Sequence, residues 1–407
     1  MTGTTNRSPR SDDALPDRRG DRRRARIAPW ARRSAVATVS LAVAATMAGC
    51  TSASTADSST GSAGNASAVA DMKASVAKYR EASNTFVAPG DKLDKTKLPT
   101  SGTFWYVSLS QEIPVLSIEQ DALKQAAGVL GMTVIICDSK FQPAVAAACV
   151  NSAIDAHATG IFTDSIATES IGTAVTNAEK VGIPIVALSA IGKNTKAVTY
   201  HSNGDQLAHA VAAQWIIADS EAKAQVLQTK VQDDPGAIDD IDSGSAPEFK
   251  KCGGCKVTHV SYTAQTVPSV PSVVSTGLLR NPDITYGFPQ FDFLVPLFKT
   301  GVQTAGFTNK MKIVSTNAVL SDMQLIKSGG QAADAGSNRN YSGWNAMDTM
   351  LRMLLHLPVS DKSTVPVRVF DKTNIDSVKL TKQAAESGEW FGPLTYQKDF
   401  AKLWGLG

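Results

Sequence analysis

Two cysteines, Cys252 and Cys255, stand on either side of a Gly-Gly pair in the segment KKCGGCKV. This spacing suits three kinds of chemistry: a redox centre, half of a zinc site or a local disulfide. A redox cysteine normally begins a helix, whereas this pair follows a predicted helix, and no second Cys-x-x-Cys completes a zinc site. Because neighbouring thiols outside the cytoplasm tend to oxidise, we expect a disulfide, with redox and metal chemistry as alternatives.

The other residues capable of chemistry do not form a catalytic pattern. The sequence contains no G-x-S-x-G, H-E-x-x-H or G-x-x-x-x-G-K-[ST] motif, and its five histidines do not cluster. Cys137 and Cys149 fall in a predicted strand and a predicted helix, where we expect buried free thiols and leave a pairing open. We therefore predict that the protein is not an enzyme and has no cofactor and no metal site.

The first fifty residues are typical of an export leader. Residues 1–33 carry ten arginines, and the uncharged run SAVATVSLAVAATMAGC at 34–50 is too short to span a bilayer. The run ends in Met47-Ala48-Gly49-Cys50, which resembles the lipobox of bacterial lipoproteins. This resemblance implies that residues 1–49 are a signal peptide and that Cys50 is lipidated. An ordinary signal peptide and a twin-arginine signal at Arg32-Arg33 are the alternatives.

The leader also dominates the net charge of the chain. The whole sequence carries +3 at pH 7, and residues 1–49 contain ten arginines against four aspartates, so the remainder carries about −3. An acidic remainder gives no argument for a nucleic-acid partner. Residues 50–101 are predicted to form a flexible Ser/Thr/Ala/Gly-rich linker and a short lead-in helix, which would hold a folded body away from a membrane.

From residue 103 onwards, short apolar strands alternate with helices. The predicted strands are residues 103–110, 132–138, 161–164, 183–189, 224–230, 256–262, 284–288 and 311–317. Continuously apolar strands separated by helices indicate βαβ units and parallel sheets covered on both faces. The pattern pauses after the fourth strand and restarts, which predicts an α/β fold with two doubly wound lobes. Ligands of such sheets bind at the carboxyl ends of the strands.

The ordered segments resemble the type I periplasmic-binding-protein family, in the ribose-binding-like branch that supplies the receptors of ABC importers. VSLSQEIPVLSIEQDALKQAAGVLGMTVIICDS resembles the first βαβ unit of that family, and GIFTDSIATESIGTAVTNAEKVGIPIVALS resembles its third and fourth strands. YHSNGDQLAHAVAAQWI resembles the first crossing between lobes, and KIVSTNAVLSDMQLIKSGG resembles a later strand and helix. The resemblance implies a three-crossing hinge between one lobe of residues 102–201 plus 335–360 and another of residues 202–334 plus 361–407.

The resemblance also places a ligand site at the strand ends that face the cleft between the lobes. The predicted ligand-binding residues are the polar groups at these positions: Gln111, Glu112, Ser189, Asp234, Gln290, Asp292, Asn317 and Asp334. Sugar binders of the family have aromatic residues after the first strand, where this chain has Val115 and Leu116. An apolar wall from Phe288, Phe291 and Phe293 is a further option, with core packing as the default.

The segment at 233–242 contains five aspartates where the family usually has a ligand-binding arginine. It lacks the D-x-D-x-D-G spacing of a calcium loop, so we expect a solvated loop, with a cationic ligand or a bound cation as alternatives. These differences weaken the case for a pentose or hexose. The expected ligand is a small polar organic molecule, sugar-like above all.

Together these patterns predict an extracytoplasmic solute-binding lipoprotein of a bacterial ABC importer, anchored to the cell membrane through Cys50. The expected partners are the ligand, the permease subunits and the membrane, with no nucleic acid, and the chain is expected to be a monomer. The alternative function is a ligand-sensing receptor that signals to a membrane sensor kinase or a chemoreceptor.

Overall fold

The computed structural model describes residues 59–359 and 364–407. The predicted leader, the lipidation of Cys50 and the first part of the predicted linker lie outside the described residues. The helix in this segment is longer than the short lead-in helix predicted, since it has 22 residues, beginning at Ser59 and ending at Arg80. Packing explains this difference, since Val69, Met72 and Val76 are buried against the second lobe, and tertiary contacts supply most of the stability of such helices.

Eleven strands form two sheets within the described residues. They are β1 (Thr103–Ser108), β2 (Thr133–Asp138), β3 (Gly160–Asp164), β4 (Ile185–Leu188), β5 (Val198–His201), β6 (Gln225–Val231), β7 (Lys256–Tyr262), β8 (Tyr286–Phe288), β9 (Lys312–Thr316), β10 (Ala333–Ser337) and β11 (Val367–Asp371). The first sheet has the order β2-β1-β3-β4-β5, and the second has the order β11-β10-β9-β8-β6-β7. Neighbouring strands are parallel, except that β11 runs antiparallel to β10. The two α/β lobes predicted from the sequence are therefore present.

The helices connect these strands and follow the local sequence signals. They are α1 (Ser59–Arg80), α2 (Pro114–Val129), α3 (Pro143–Asp155), α4 (Gly172–Val181), α5 (Asp205–Asp219), α6 (Pro235–Asp239), α7 (Ala246–Lys250), α8 (Val270–Arg280), α9 (Val295–Thr304), α10 (Leu320–Ser328), α11 (Arg339–Leu354), α12 (Lys382–Ser387) and α13 (Tyr396–Leu403), with a π-helical turn at Asp240–Ser245 between α6 and α7. Pro114 and Pro143 begin α2 and α3, where proline fits because the first helical N–H has no partner. Among the described residues, no helix has the length and apolar character needed to cross a bilayer.

Helices cover both faces of each sheet. In the first lobe, α2 and α11 pack on one face around Phe104 and Tyr106, while α3 and α4 cover the other. In the second lobe, α1 and α5 cover one face, and α8 and α9 cover the other. Strands buried on both faces need apolar side chains at consecutive positions, which explains the continuous apolar runs in the sequence.

The chain crosses between the lobes before α5, between β10 and α11, and between α11 and β11. The predicted boundary between residues 334 and 335 is therefore too early, because all of β10 pairs in the second sheet. Two additional segments also connect the lobes. After α1, which packs on the second lobe, Leu93 and Leu98 join the core of the first lobe. The tail packs Trp390 on the second lobe and then α13 on the first. The assignment of residues 361–407 to the second lobe is therefore wrong for α13, whose aromatic face fits the first-lobe core.

Two disulfides are present within the described chain. Cys252 and Cys255 form one, with a sulfur–sulfur distance of 2.02 Å, in the connection between α7 and β7. Cys137 and Cys149 form the other, and here the expectation of free thiols is wrong. The end of β2 and the second turn of α3 bring the two Cα atoms to 5.9 Å, a separation that a disulfide readily bridges.

Candidate functional site

A cavity of about 140 Å³ lies between the lobes at the carboxyl ends of both sheets. Loops after β1, β2, β3 and β4 line it from the first lobe, and loops after β6, β7, β8 and β9 line it from the second. A single water molecule needs about 10–15 Å³ of such a cavity, so the whole cavity holds roughly ten heavy atoms. That is the size of a monosaccharide.

The lobes touch each other beside this cavity. Gly236, in the first turn of α6, lies so close to Ser189 that an added Cβ would be 2.3 Å from the Ser189 carbonyl oxygen. Nearby, Ile113 and Leu116 of the first lobe pack with Val319 of the second. The structure is therefore a closed form, in which both lobes can contact one enclosed molecule.

Three of the eight predicted ligand-binding residues line the cavity: Ser189, Asp234 and Asn317. Ser189 follows β4 and donates a hydrogen bond to Asp164 at 3.0 Å. Asp234 is the N-cap of α6 and accepts from the Ala237 N–H at 3.2 Å. Asn317 follows β9 with a φ of +112°, a backbone conformation that turns its side chain into the cleft.

The other five predicted residues do not line the cavity. Gln290 is fully buried in the second lobe, where its side chain accepts from the Val231 N–H at 3.0 Å and donates to the Ala237 carbonyl at 2.5 Å. Gln111 donates to Ser108 at 2.8 Å, and Glu112 is exposed. Strand-end polar groups are thus used largely to satisfy buried backbone groups, as such groups generally must be.

Asp292 and Asp334 hold the turn after β9. Both contact the Ser315 hydroxyl, and they accept from the backbone N–H groups of Val319 at 2.8 Å and Ala318 at 3.0 Å. With Asp322 they bring one carboxylate oxygen each within 4.8 Å of one another, which is a metal-ligand spacing. Asp292 and Asp334 already accept hydrogen bonds from hydroxyl and amide donors. These contacts assign the two aspartates to hydrogen bonding within the lobe.

Sequence reasoning missed an ion-pair group at the hinge. Arg339, at the start of α11, donates to both carboxylate oxygens of Asp205 at 2.8 and 2.6 Å and to Glu119 at 3.1 Å. Burial alone would lower the pKa of Arg339, but the Asp205 and Glu119 carboxylates raise it, so the guanidinium stays charged. Burial and the Asp164 carboxylate raise the pKa of Glu119 to about 8, against the opposing effect of Arg339. Arg339 and Asp205 both line the cavity.

Two buried polar atoms at the cavity lack a hydrogen-bond partner. They are the Ser139 hydroxyl in the loop after β2 and the Arg339 Nε at the hinge. Buried polar groups are normally paired, so an unpaired one needs an explanation, and a ligand in the cavity supplies it. The only sequence signal for Ser139 is its place directly after an apolar strand.

The remaining lining combines aromatic rings with acidic groups. Phe291 and Phe293 stack with centroids 6.0 Å apart and line the cavity, whereas Phe288 is a core residue, as expected by default.

The solvated loop expected at 233–242 is instead mostly helical, and this conformation directs Asp234 and Asp240 to the cavity.

Comparison with known proteins adds a family and a fold. The family model described as "Periplasmic binding protein domain" matches residues 106–356. No curated protein sequence matches the chain.

Solved structures superpose on most of the chain at low sequence identity. A 5-methylthioribose transporter solute-binding protein from Thermotoga lettingae, in complex with 5-methylthioribose, has a TM-score of 0.64 and 14% identity, over 76% of this chain and 99% of that one. An ABC transporter solute-binding protein from Agrobacterium vitis with α-D-tagatopyranose has a TM-score of 0.61 and 18% identity, over 70% and 97%. Another from the same organism, with allitol, has a TM-score of 0.60 and 15% identity, over 69% and 98%.

Proposed function

Because this chain belongs to the periplasmic binding protein domain family, we propose that it is the solute-binding component of a bacterial ABC importer and that it binds a sugar-like molecule between its lobes. Its role is binding and release rather than chemistry. Closure of the lobes over the ligand shifts the equilibrium from open to closed forms, and only as far as the ligand prefers the closed one.

One observation carries this proposal: polar groups from both sides of the cleft line one cavity, and two of them, on Ser139 and Arg339, lack a hydrogen-bond partner. Ser139 comes from the first lobe and Arg339 from the hinge, while Asp240 and Asn317 come from the second lobe. A ligand with several hydroxyl groups can pair with all of them at once, and only when the lobes are closed. The sugar and polyol ligands of the similar solved structures support the same ligand class.

The aromatic residues support the same ligand class, although they stand at other positions than the aromatic residues of the family's sugar binders. Val115 and Leu116 occupy the positions where family sugar binders have aromatic rings, and Phe141, Phe291 and Phe293 line the cavity instead. Their faces can pack against the C–H surface of a sugar ring.

Anchoring and delivery complete the proposal. Lipidation of Cys50 would tether the chain to the outer face of the cell membrane, and the closed form would then dock on the permease subunits. Replacing Cys50 with alanine should release the protein from the membrane fraction and abolish labelling with a radioactive fatty acid. Retention of both in the variant would refute the anchor.

The ligand class is tested by a thermal-shift screen of the purified chain against sugars and polyols, followed by calorimetry. A ligand at 100 times its Kd should stabilise the protein by about 2.7 kcal/mol. The Ser139→Ala variant should bind the same ligand about fivefold more weakly, since it loses one hydrogen bond of about 1 kcal/mol. If no sugar or polyol stabilises the chain, the ligand class is wrong. If ligand binds but cells lacking the protein take it up normally, the sensor-receptor alternative replaces the importer.

A further inference from the structure

We propose that the ligand carries a positively charged amine in addition to its hydroxyl groups, as an amino sugar or an amino polyol does. This inference rests on the proposed function, because it concerns the same cavity. It begins from the charges at the cavity, where one arginine faces four aspartates: Asp205, Asp233, Asp234 and Asp240.

The arginine is already neutralised by the protein. Arg339 makes a two-bonded ion pair with Asp205, at 2.8 and 2.6 Å, and also donates to Glu119 at 3.1 Å. Asp205 and Arg339 are both more than nine-tenths buried, so this ion pair is shielded from water. Arg339 therefore has no charge left to offset another carboxylate, although its unpaired Nε can still donate to a ligand oxygen.

Asp234 and Asp240 form no ion pair among the described residues. The Asp234 carboxylate accepts from the backbone N–H of Ala237 in its own helix. The Asp240 carboxylate has no hydrogen-bond or ion-pair partner among the described residues. Burial raises the pKa of Asp234 to about 6, and burial together with Asp205 and Asp234 raises the pKa of Asp240 well above its ordinary value, against the opposing charge of Arg339. Neither carboxyl group has an ion-pair partner among the described residues, so a cation bound beside them would lower both pKa values and stabilise their ionised forms. We call this side of the cavity the acidic wall.

The first lobe supplies the opposite side of the cavity and brings no charge to it. Leu109, Ile113 and Phe141 form an apolar surface there, interrupted by hydroxyl groups such as that of Ser139. A ligand that fits both sides needs C–H and hydroxyl groups towards the first lobe and a cation towards the acidic wall. Around a neutral ligand the two carboxyl groups would have to take up protons or stay charged without a counter-charge, whereas an ammonium group would stabilise them in the ionised form.

The test compares matched pairs of ligands that differ in one amine. D-Glucosamine with D-glucose, D-galactosamine with D-galactose, and 1-amino-1-deoxy-D-glucitol with D-glucitol are titrated into the purified chain by calorimetry at pH 7.5. We expect the charged member of at least one pair to bind at least about tenfold more tightly, since one partly buried ion pair readily supplies that factor. N-Acetyl-D-glucosamine controls for the size of the substituent.

A variant pair connects this preference to the acidic wall. Asp240→Asn keeps the shape of the side chain and removes its charge, so the preference for the amine should fall to about threefold or less. Asp242→Asn is the matched control, because Asp242 lies in the same helical turn but is exposed and pairs with Lys230 at 2.6 Å, outside the cavity lining. We expect it to retain the preference.

Three outcomes would overturn the inference. Equal or tighter binding of the neutral members overturns it and leaves the proposed sugar-binding function standing. An equal loss of preference in Asp240→Asn and Asp242→Asn assigns the effect to the overall charge of the protein rather than to the acidic wall. If neither the charged nor the neutral member of any pair binds, and the wider screen of sugars and polyols also fails, both the inference and the proposed function are wrong.

Discussion

The side chain of Gln290 holds two backbone groups of the second lobe together. The side chain accepts from the Val231 N–H and donates to the Ala237 carbonyl, while the backbone carbonyl of Gln290 accepts from His209 and Thr316. Although Gln290 follows a strand end near the cleft, its hydrogen bonds are already made within the protein. Its role at the residue scale is therefore stability, and the role of Asn317, which faces the cavity, is ligand contact.

Substitution at these two positions separates the two roles. Gln290→Ala should lower the free energy of unfolding by about 2–4 kcal/mol, because two buried backbone groups lose their partner. Asn317→Gly retains the φ of +112° and should change stability by less than about 1 kcal/mol while weakening ligand binding about tenfold. Urea unfolding and calorimetry measure the two effects. A stable Gln290→Ala protein that has lost its ligand would reverse the assignment.

Asp234 makes a pH-dependent contribution to the stability of the folded protein. Burial raises its pKa from the ordinary value of 3.8 to about 6. The ionised form of Asp234 is therefore less stable in the folded protein than in the unfolded one. This lowers the free energy of unfolding by its full amount above about pH 6 and not at all below about pH 4. Asn is an equally good helix cap, so Asp234→Asn should gain stability relative to the natural chain as pH rises from 5 to 7.5. Urea unfolding at both pH values tests this, and an equal effect at both would contradict it.

At the scale of elements, the Cys137–Cys149 disulfide closes the connection between β2 and α3. This connection brings Ser139 and Phe141 to the cavity, and Lys140 and Phe141 have left-handed φ values of 50° and 59°. Two successive left-handed residues without glycine are unfavourable, so the surrounding structure must hold them in place. The disulfide is the covalent part of that support.

Removal of this disulfide should therefore affect binding as well as stability. The double variant Cys137→Ala/Cys149→Ala should bind ligand about tenfold more weakly, because the loop that carries Ser139 and Phe141 gains freedom to move. The matched control is Cys252→Ala/Cys255→Ala, whose disulfide lies outside the cavity lining and whose loss should change affinity by less than about twofold. Calorimetry on both proteins measures the effect. Equal losses of affinity would mean that both disulfides act through overall stability.

The elements with strong apolar signals could be predicted from the sequence, and those with weak signals could not. All eight predicted strands are present, because strands buried on both faces require runs of apolar residues. The predictions missed β10, whose sequence ADAGS is fully buried yet small and polar. They also missed β5 and β11, which are short strands at the outer edges of the two sheets.

The candidate site was less predictable than the fold, since a residue type does not reveal the direction of a side chain. Asp292 and Asn317 both stand near strand ends, yet only Asn317 lines the cavity. Arg339 and Asp205 are far apart in sequence, and their ion pair depends on the hinge between β10 and α11. The partner of Cys137 likewise depends on how α3 returns along the sheet.

At the scale of the whole molecule, closure depends on the contact between Gly236 and Ser189. A methyl group on Gly236 would lie 2.3 Å from a backbone oxygen of the other lobe, which cannot move aside as a flexible side chain would. Gly236→Ala should therefore oppose closure and weaken ligand binding tenfold or more, with little change in the stability of the open form. Gly172→Ala is the matched control, because an added Cβ there meets nothing within 4 Å. Calorimetry and small-angle X-ray scattering with ligand measure affinity and closure, and unchanged values for Gly236→Ala would show that the lobes close without this contact.

The packing of α1 on the second lobe and of α13 on the first has a practical consequence. Closure must change the distance between these two helices, and each has an exposed position, Ala74 on α1 and Lys398 on α13. Fluorescent dyes attached there would convert the arrival of a ligand into a change in energy transfer. The labelled chain would thus report ligand binding as a change in fluorescence, and this signal could be used to identify the ligand in complex mixtures.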